Sequence, residues 1–268
     1  MNTKLNPLAV ITGASSGLGM AYARQLATKG FNLMLIARRK FVLESLKEEL
    51  EKSHQNISVE IVQADLSLLD DIRMLEEKIA NSERLLFMIN NAGFGVEGVF
   101  PEINVEKNTE MITVHNTAVM RLARAAMIPM KVQGKGFLIN VASSAGFLAS
   151  RGAVIYCATK AFIISFSRSL QCDCHKDGIH VQALCPGFVR TGFHDTDSMA
   201  GSPIKESVPG WLWLQADWVV KKSLSQVQKN FFRRVIYIPS LRYKCGTFFA
   251  SSWIFAPLRI LFSGGKIR

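Results

Sequence analysis

Three features of the sequence predict an α/β fold, a single doubly wound parallel sheet of about seven strands with helices on both faces. Short apolar runs recur along the chain without polar alternation. Longer stretches of helical periodicity separate them. No internal repeat, low-complexity run or Pro/Ser-rich linker divides residues 1–238. Strands that are apolar throughout are buried on both faces, which is the mark of a parallel sheet covered by its crossover helices. Right-handed crossovers then wind such a chain into one doubly wound domain.

The elements follow in order. Leu8 to Ile11 reads as a buried strand, and a helix from about Leu18 to Lys29 stops at Gly30, a C-terminal punctuation residue. Leu33 to Ala37 is the second strand. The stretch from about Phe41 to Lys52 is amphipathic, with Leu43, Leu46 and Leu50 on one side. Ile57 to Val62 is the third strand, with a helix from about Leu69 to Ala80 after it. Leu85 to Ile89 is the fourth. One long helix is predicted over about Val105–Lys131, and Gly136 to Val141 makes the fifth strand. Another long helix runs from about Ala153 to Cys174, and Ile179 to Leu184 is the sixth strand. Val235 to Ile238 is a short seventh, closed by Pro239.

Charge is distributed unevenly. Of 268 residues, 32 are Lys or Arg and 21 Asp or Glu, a net charge of +11. Residues 218–268 hold 10 of the basic side chains, none of the acidic ones and 10 of the 25 aromatics. The body is nearly neutral and the C-terminal segment cationic and aromatic. With half the residues apolar, disorder of the whole chain is excluded. Five cysteines are too few for a disulfide scaffold and match no zinc spacing. Cys172, Cys174 and His175 crowd three potential ligands together, which reads as packing or surface, and no metal is expected. Met1 to Pro7 lacks the apolar stretch of a signal peptide, so a cytoplasmic, reducing location is expected.

After the first strand comes Thr12-Gly13-Ala14-Ser15-Ser16-Gly17-Leu18-Gly19. Glycines here permit a tight turn close to a pyrophosphate, and the helix that follows points its first amides at that anion. The second strand ends Ala37-Arg38-Arg39-Lys40, with no acid before Glu44. An acid near this place takes the ribose 2′-hydroxyl of NAD, whereas cations suit the 2′-phosphate of NADP. NADP(H) is therefore favoured over NAD(H). Tyr156 and Lys160 are four apart in a helix and share a face. An ammonium near a phenol lowers its pKa from about 10, as a tyrosine acid/base requires.

Together these residues resemble the short-chain dehydrogenase/reductase family over about residues 6–238. The resemblance rests on Thr12-Gly13-x3-Gly17-x-Gly19, Asn90-Asn91-Ala92-Gly93, Asn116, Ser143, Tyr156 with Lys160, and Pro186-Gly187, all in the family's order. It implies a Rossmann-like domain and hydride transfer between a nicotinamide and a carbonyl/alcohol pair. It implies that Tyr156 gives or takes the hydroxyl proton and that Lys160 binds the nicotinamide ribose and lowers the tyrosine pKa. Ser143 matches the residue that hydrogen-bonds the substrate oxygen, and Asn116 the one that holds a relay water. The cofactor set implied is Gly13, Ser15, Ser16, Gly17, Leu18, Gly19, Arg38, Arg39, Asp65, Leu66, Asn91, Ala92, Gly93, Tyr156, Lys160, Pro186, Gly187, Val189 and Thr191. Asp65 matches the adenine-contacting acid, and Asn90 a backbone-contacting residue beside the cofactor. The resemblance also suggests a homodimer or homotetramer through the two long helices. Two other classes stand beside this reading: a nucleotide-binding regulatory or scaffold protein on a membrane surface with little or no catalysis, and a hydrolase using Ser143, although Val141-Ala142-Ser143-Ser144-Ala145 forms no Gly-x-Ser-x-Gly elbow.

The loop from about 191 to 216 is irregular and apolar, with Phe193, Met199, Trp211, Trp213 and Leu214, which suggests a lipophilic substrate such as a 3-oxoacyl or steroid-like ketone. Residues 239–268 extend beyond the domain. Pro257 and Arg259 interrupt their apolar stretch, leaving it short of the ~20 residues of a spanning helix. A membrane-surface contact on the cytosolic face suits the basic and aromatic composition, with docking on the core or a partner subunit as the alternative; no nucleic-acid partner is expected.

Overall fold

The computed structural model describes residues 6–195, 199, 204–229 and 235–251. Seven parallel strands form the central sheet: β1 (Leu8–Thr12), β2 (Asn32–Ala37), β3 (Val59–Gln63), β4 (Leu85–Asn90), β5 (Gly136–Val141), β6 (Ile179–Leu184) and β9 (Ile236–Tyr237). Their order is β3-β2-β1-β4-β5-β6-β9. The order reverses between β1 and β4, and ligands of doubly wound sheets bind at such a switch point, beyond the C-terminal strand ends. A separate two-stranded parallel ladder joins β7 (Val189–Arg190) to β8 (Leu214–Gln215), with the one-turn helix α7 (Ile204–Ser207) between them in sequence.

Helices cover both faces, as the buried strands demand. On one side α1 (Gly17–Thr28), α2 (Lys40–Ser53) and α8 (Ala216–Lys229) bury Tyr22, Leu26, Leu43, Leu46, Val220 and Leu224 against the sheet. On the other, α3 (Leu69–Ala80), α5 (Ala118–Gln133) and α6 (Val154–Cys174) bury Ile72, Leu75, Leu122, Met130 and Cys174. Full burial of one such aliphatic side chain stabilises by about 2 kcal/mol.

The structure departs from the sequence reading at three places. The predicted helix over 105–131 is two helices, α4 (Val105–Ile112) and α5, joined by a π-helical turn at Thr113–Thr117. A π turn is a common device at functional sites, and this one carries Asn116. The segment from 218 is not one cationic tail. Its first twelve residues belong to α8, which is part of the core: the Tyr22 hydroxyl lies 2.6 Å from Ser223 Oγ, and Ser223 Oγ also bonds Gln182 on β6. Finally, α9 (Leu241–Ser251) follows β9 and packs against the Ser144–Phe147 turn. Among the described residues no helix is long and apolar enough to cross a membrane. The rest of the tail, with Trp253, Phe255, Arg259 and Phe262, lies outside the described residues.

Candidate active site

A cleft of about 1970 Å³ opens at the C-terminal ends of the strands. Its nucleotide end is built on the turn after β1. Gly13 has φ +65°, and a Cβ there would stand 2.8 Å from Ala92 Cα. Only glycine lets the turn lie this close to the Asn91-Ala92 backbone. Thr12 and Asn91 tie the two segments together. Thr12 Oγ1 accepts from the Asn91 and Ala92 amides, both at 3.0 Å, and Asn91 Nδ2 donates to Thr12 O at 2.9 Å. Ser16 caps α1 without a side-chain bond to the first-turn amides. Ser15, Ser16, Gly17 and Leu18 line the cleft beside Gly13.

The three cations after β2 have separate fates. Arg39 wraps the glycine loop, its guanidinium 3.0 Å from Ser15 Oγ and 3.1 Å from Ser15 O. Arg38 is 73% exposed and lies 3.7 Å from Asp65. Lys40 turns into α2 and pairs with Glu44 at 3.7 Å. Burial acts to raise the Asp65 carboxyl, but bonds from Ser67 and the Arg38 charge outweigh it and hold the group below its usual value. Leu66 completes this wall. Asn91, Ala92 and Gly93 face the cleft, whereas Asn90 does not. Asn90 is buried between strands and donates to Asn140 Oδ1 at 2.9 Å, so its role is to join β4 to β5.

The strand ends and α6 bring the proton-transfer residues together. Lys160 is buried, and its Nζ donates to Val141 O at 3.1 Å. That nitrogen lies 5.6 Å from the centre of the Tyr156 ring. Burial depresses the Lys160 pKa to about 8. Burial likewise pushes the Tyr156 phenol up to about 12, against a hydrogen bond with Ser143. Desolvation of the phenolate, which the four-residue spacing does not show, is the leading influence on Tyr156 in the ligand-free chain. Ser143 is oriented at the end of β5, where its Oγ accepts from the Ala145 amide at 3.1 Å. Asn116 does not itself line the cleft, and its buried Oδ1 meets no donor among the described residues. An orphaned carbonyl oxygen there fits a residue that holds a water.

His115, which the sequence reading passed over, is fully buried in the same place. Thr159 Oγ1 donates to Tyr156 O at 2.9 Å, so His115 Nδ1 must be the donor across its 2.9 Å contact with Thr159 Oγ1. Nε2 then accepts from the Phe94 amide at 3.1 Å. Burial and the Lys160 charge hold this imidazole well below its usual pKa. His115 thereby locks the loop after β4 to the helix that carries Tyr156 and Lys160. Its only sequence signal was a polar residue among apolar ones beside Asn116.

Pro186, Gly187, Val189 and Thr191 line the cleft after β6, and Thr191 stands against the glycine loop, where a Cβ on Gly17 would fall 2.8 Å from its Cβ. Phe193, Met199 and Leu212 line the substrate end, and the Phe193 ring stands 5.9 Å from that of Tyr156. Trp213 instead packs on Phe188, with ring centres 5.5 Å apart. Residues 196–198 and 200–203 of this loop lie outside the described residues. Among the described residues no three His, Cys, Asp or Glu side chains are placed to hold a metal. His175 Nδ1 lies 2.9 Å from Cys172 O, and Cys174 is buried in the core.

A family model of the short chain dehydrogenases matches residues 7–200. The chain belongs to the short chain dehydrogenase family. Very-long-chain 3-oxoacyl-CoA reductase-A of Danio rerio is 33% identical over 197 residues, which cover 71% of this chain and 60% of that protein. A short-chain dehydrogenase from Sphingobium yanoikuyae, solved in complex with NADPH, superposes with a TM-score of 0.81 at 31% identity, covering 97% of this chain and 96% of that one. The bulky-bulky ketone specific alcohol dehydrogenase of Comamonas testosteroni gives a TM-score of 0.77 at 28% identity, covering 97% and 95%.

Proposed function

We propose that this family member is an NADP(H)-dependent oxidoreductase that interconverts a carbonyl and a secondary alcohol on a lipophilic substrate. The observation that carries the reading is the meeting of Ser143, Tyr156 and Lys160, with Val114 from the π turn beside them, in a cleft that the Gly13–Leu18 turn, Arg38 and Arg39 also line. The Sphingobium relative's NADPH supports the cofactor choice. When bound, the dihydronicotinamide supplies a hydride to the carbonyl carbon. Tyr156 then donates its phenolic proton to the carbonyl oxygen as charge develops on it, and Ser143 Oγ hydrogen-bonds the same oxygen. The Lys160 ammonium stabilises the phenolate left behind. The Asn116 oxygen holds a water through which that phenolate regains a proton.

Phe94, Val99, Leu148, Phe193 and Leu212 make the substrate end apolar, which supports a long acyl or steroid-like ketone. The printed name of the Danio relative supports a 3-oxoacyl thioester in particular. NADPH oxidation against ketones graded in chain length tests the reading. Turnover rising with chain length is expected. NADPH binding without turnover on any ketone would favour a nucleotide-binding regulatory protein instead.

Two features support wider associations. Exposed Met120, Ile128 and Val132 on α5 and Phe162 on α6 suit a homodimer or homotetramer face, which light scattering after size exclusion would measure. Leu241, Phe248 and Phe249 are exposed on α9 beside Arg242 and Lys244, and the cationic segment continues to Arg268. This composition suits peripheral contact with an anionic membrane on the cytosolic side. Equal sedimentation with anionic vesicles by the protein and by its Phe248→Asp/Phe249→Asp variant would count against that contact.

A further inference from the structure

The C-terminal helix meets the segment after β6 through Tyr243. A Cβ on Gly187 would fall 1.8 Å from Tyr243 Cζ and 2.0 Å from Cε1. The phenol end of Tyr243 therefore fills the notch that glycine leaves in the segment after β6. Its hydroxyl accepts from the Phe188 amide at 3.0 Å and donates to Leu212 O at 3.0 Å. One donor and one acceptor are used, which is the ordinary capacity of a phenol. Burial raises its pKa, so the proton for Leu212 is retained.

The two backbone groups that Tyr243 joins belong to different walls. Phe188 lies between Gly187 and Val189 on the wall built by the segment after β6, and Leu212 closes the Gly210–Leu212 turn; both line the cleft. The β7–β8 ladder already ties these walls, with the Leu214 amide donating to Phe188 O at 2.9 Å. Tyr243 adds a side-chain rung at the mouth of that ladder. The first turn of α9 strengthens the grip, because Arg242 bonds Trp211 O and stacks over the Trp211 ring at 5.5 Å. One turn later Thr247 Oγ1 bonds Tyr243 O at 2.8 Å and is itself buried. Arg242, Tyr243, Gly246 and Thr247 all line the cleft.

We propose that Tyr243 is a positioning residue for substrate, a strut that seats in the Gly187 notch and holds the Leu212 end of the substrate loop against the Phe188 wall. The C-terminal helix is then the far wall of the substrate cleft, and its contribution falls on substrate affinity and not on hydride transfer. The inference rests on the oxidoreductase reading for its kinetic consequence alone; the strut itself is a property of the fold.

Tyr243→Phe keeps the ring and removes both hydrogen bonds, so it tests the strut without opening a cavity. In the full-length protein it should raise KM for a long-chain ketone about ten-fold, the size expected from losing two net hydrogen bonds. kcat and NADPH affinity should stay within about two-fold of the parent. The Phe188 amide should exchange with solvent about ten-fold faster in the variant, a readout that needs no turnover. Gly187→Ala should damage the same parameter, and should cost far less in a Tyr243→Ala background, because the added methyl then enters vacated space. An unchanged KM and unchanged Phe188 exchange in Tyr243→Phe would overturn the strut, as would equal cost of Gly187→Ala in both backgrounds. A parallel loss of NADPH affinity would also overturn it, as general damage. If the parent protein turns over no ketone, the oxidoreductase reading fails, while the exchange measurement still decides the strut.

Discussion

Replacing Lys160 by Met should stabilise the ligand-free protein while removing its proposed activity. Lys160 is 4% exposed, and burial depresses its pKa from 10.5 to about 8. That difference corresponds to about 3 kcal/mol of folding free energy withheld by the charged form. At pH 7 the ammonium is charged in both folded and unfolded chains, so the whole cost is present. Between pH 8 and 10.5 the folded protein sheds this proton while the unfolded chain keeps it, and the cost fades; above 10.5 it is gone. Methionine retains the apolar stem but leaves Val141 O without its 3.1 Å donor, a loss of about 1 kcal/mol. The net gain at pH 7 is about 2 kcal/mol, or about 4 °C in Tm for a chain of this size. Thermal unfolding of both proteins from pH 7 to 10 without nucleotide measures it, and the gap should close as pH rises. A variant less stable at pH 7, or a gap independent of pH, would refute the claim that desolvation dominates at this lysine.

Tyr156→Phe should lower kcat by about 10²–10⁴-fold, with NADPH affinity nearly unchanged by fluorescence titration. With burial raising the Tyr156 phenol, alcohol oxidation should accelerate as pH rises from 7, because it needs the phenolate, whereas ketone reduction should fall above about pH 8 as Lys160 loses the charge that stabilises the phenolate; parallel pH–rate profiles check this. Arg38→Ala with Arg39→Ala should weaken NADPH by about ten-fold or more, each charge-assisted bond being worth about 1.5–3 kcal/mol, and leave NADH little changed. His115→Leu strands the Phe94 amide and Thr159, which should cost about 2 kcal/mol of stability in denaturant melts and shift kcat with it.

Most of the frame was legible in the residues. The apolar runs at Leu8, Leu33, Leu85, Gly136 and Ile179 declare buried parallel strands because a side chain buried on either face must be apolar. The glycine turn, the cations after Ala37 and the Tyr156/Lys160 spacing depend on local geometry, one turn or one helix face, and local geometry is written in sequence. Helix α8 was also within reach. Val219, Val220, Leu224 and Val227 form its buried stripe, and Lys221, Lys222 and Lys229 between and after them give the same stretch the pattern of a charge run.

Other features were decided only by the packed chain. The π turn at Asn116 breaks no propensity rule; it arises where α4 and α5 must both pack while His115 reaches Phe94 and Thr159. The partition of Arg38, Arg39 and Lys40 among Asp65, Ser15 and Glu44 depends on which neighbour each side chain meets. Desolvation of Tyr156 and Lys160 is a property of the surrounding protein and cannot be read from their spacing. Gly187 and Tyr243 stand 56 residues apart, and nothing local to either announces that one fills the space of the other. The sequence alone determined the strands, the turn that approaches a phosphate and the residue types for proton transfer, because each rests on periodicity or near-neighbour spacing. The tertiary structure decided protonation, the pairing of the cations and the seat of the C-terminal helix, because these depend on which distant groups exclude water from one another.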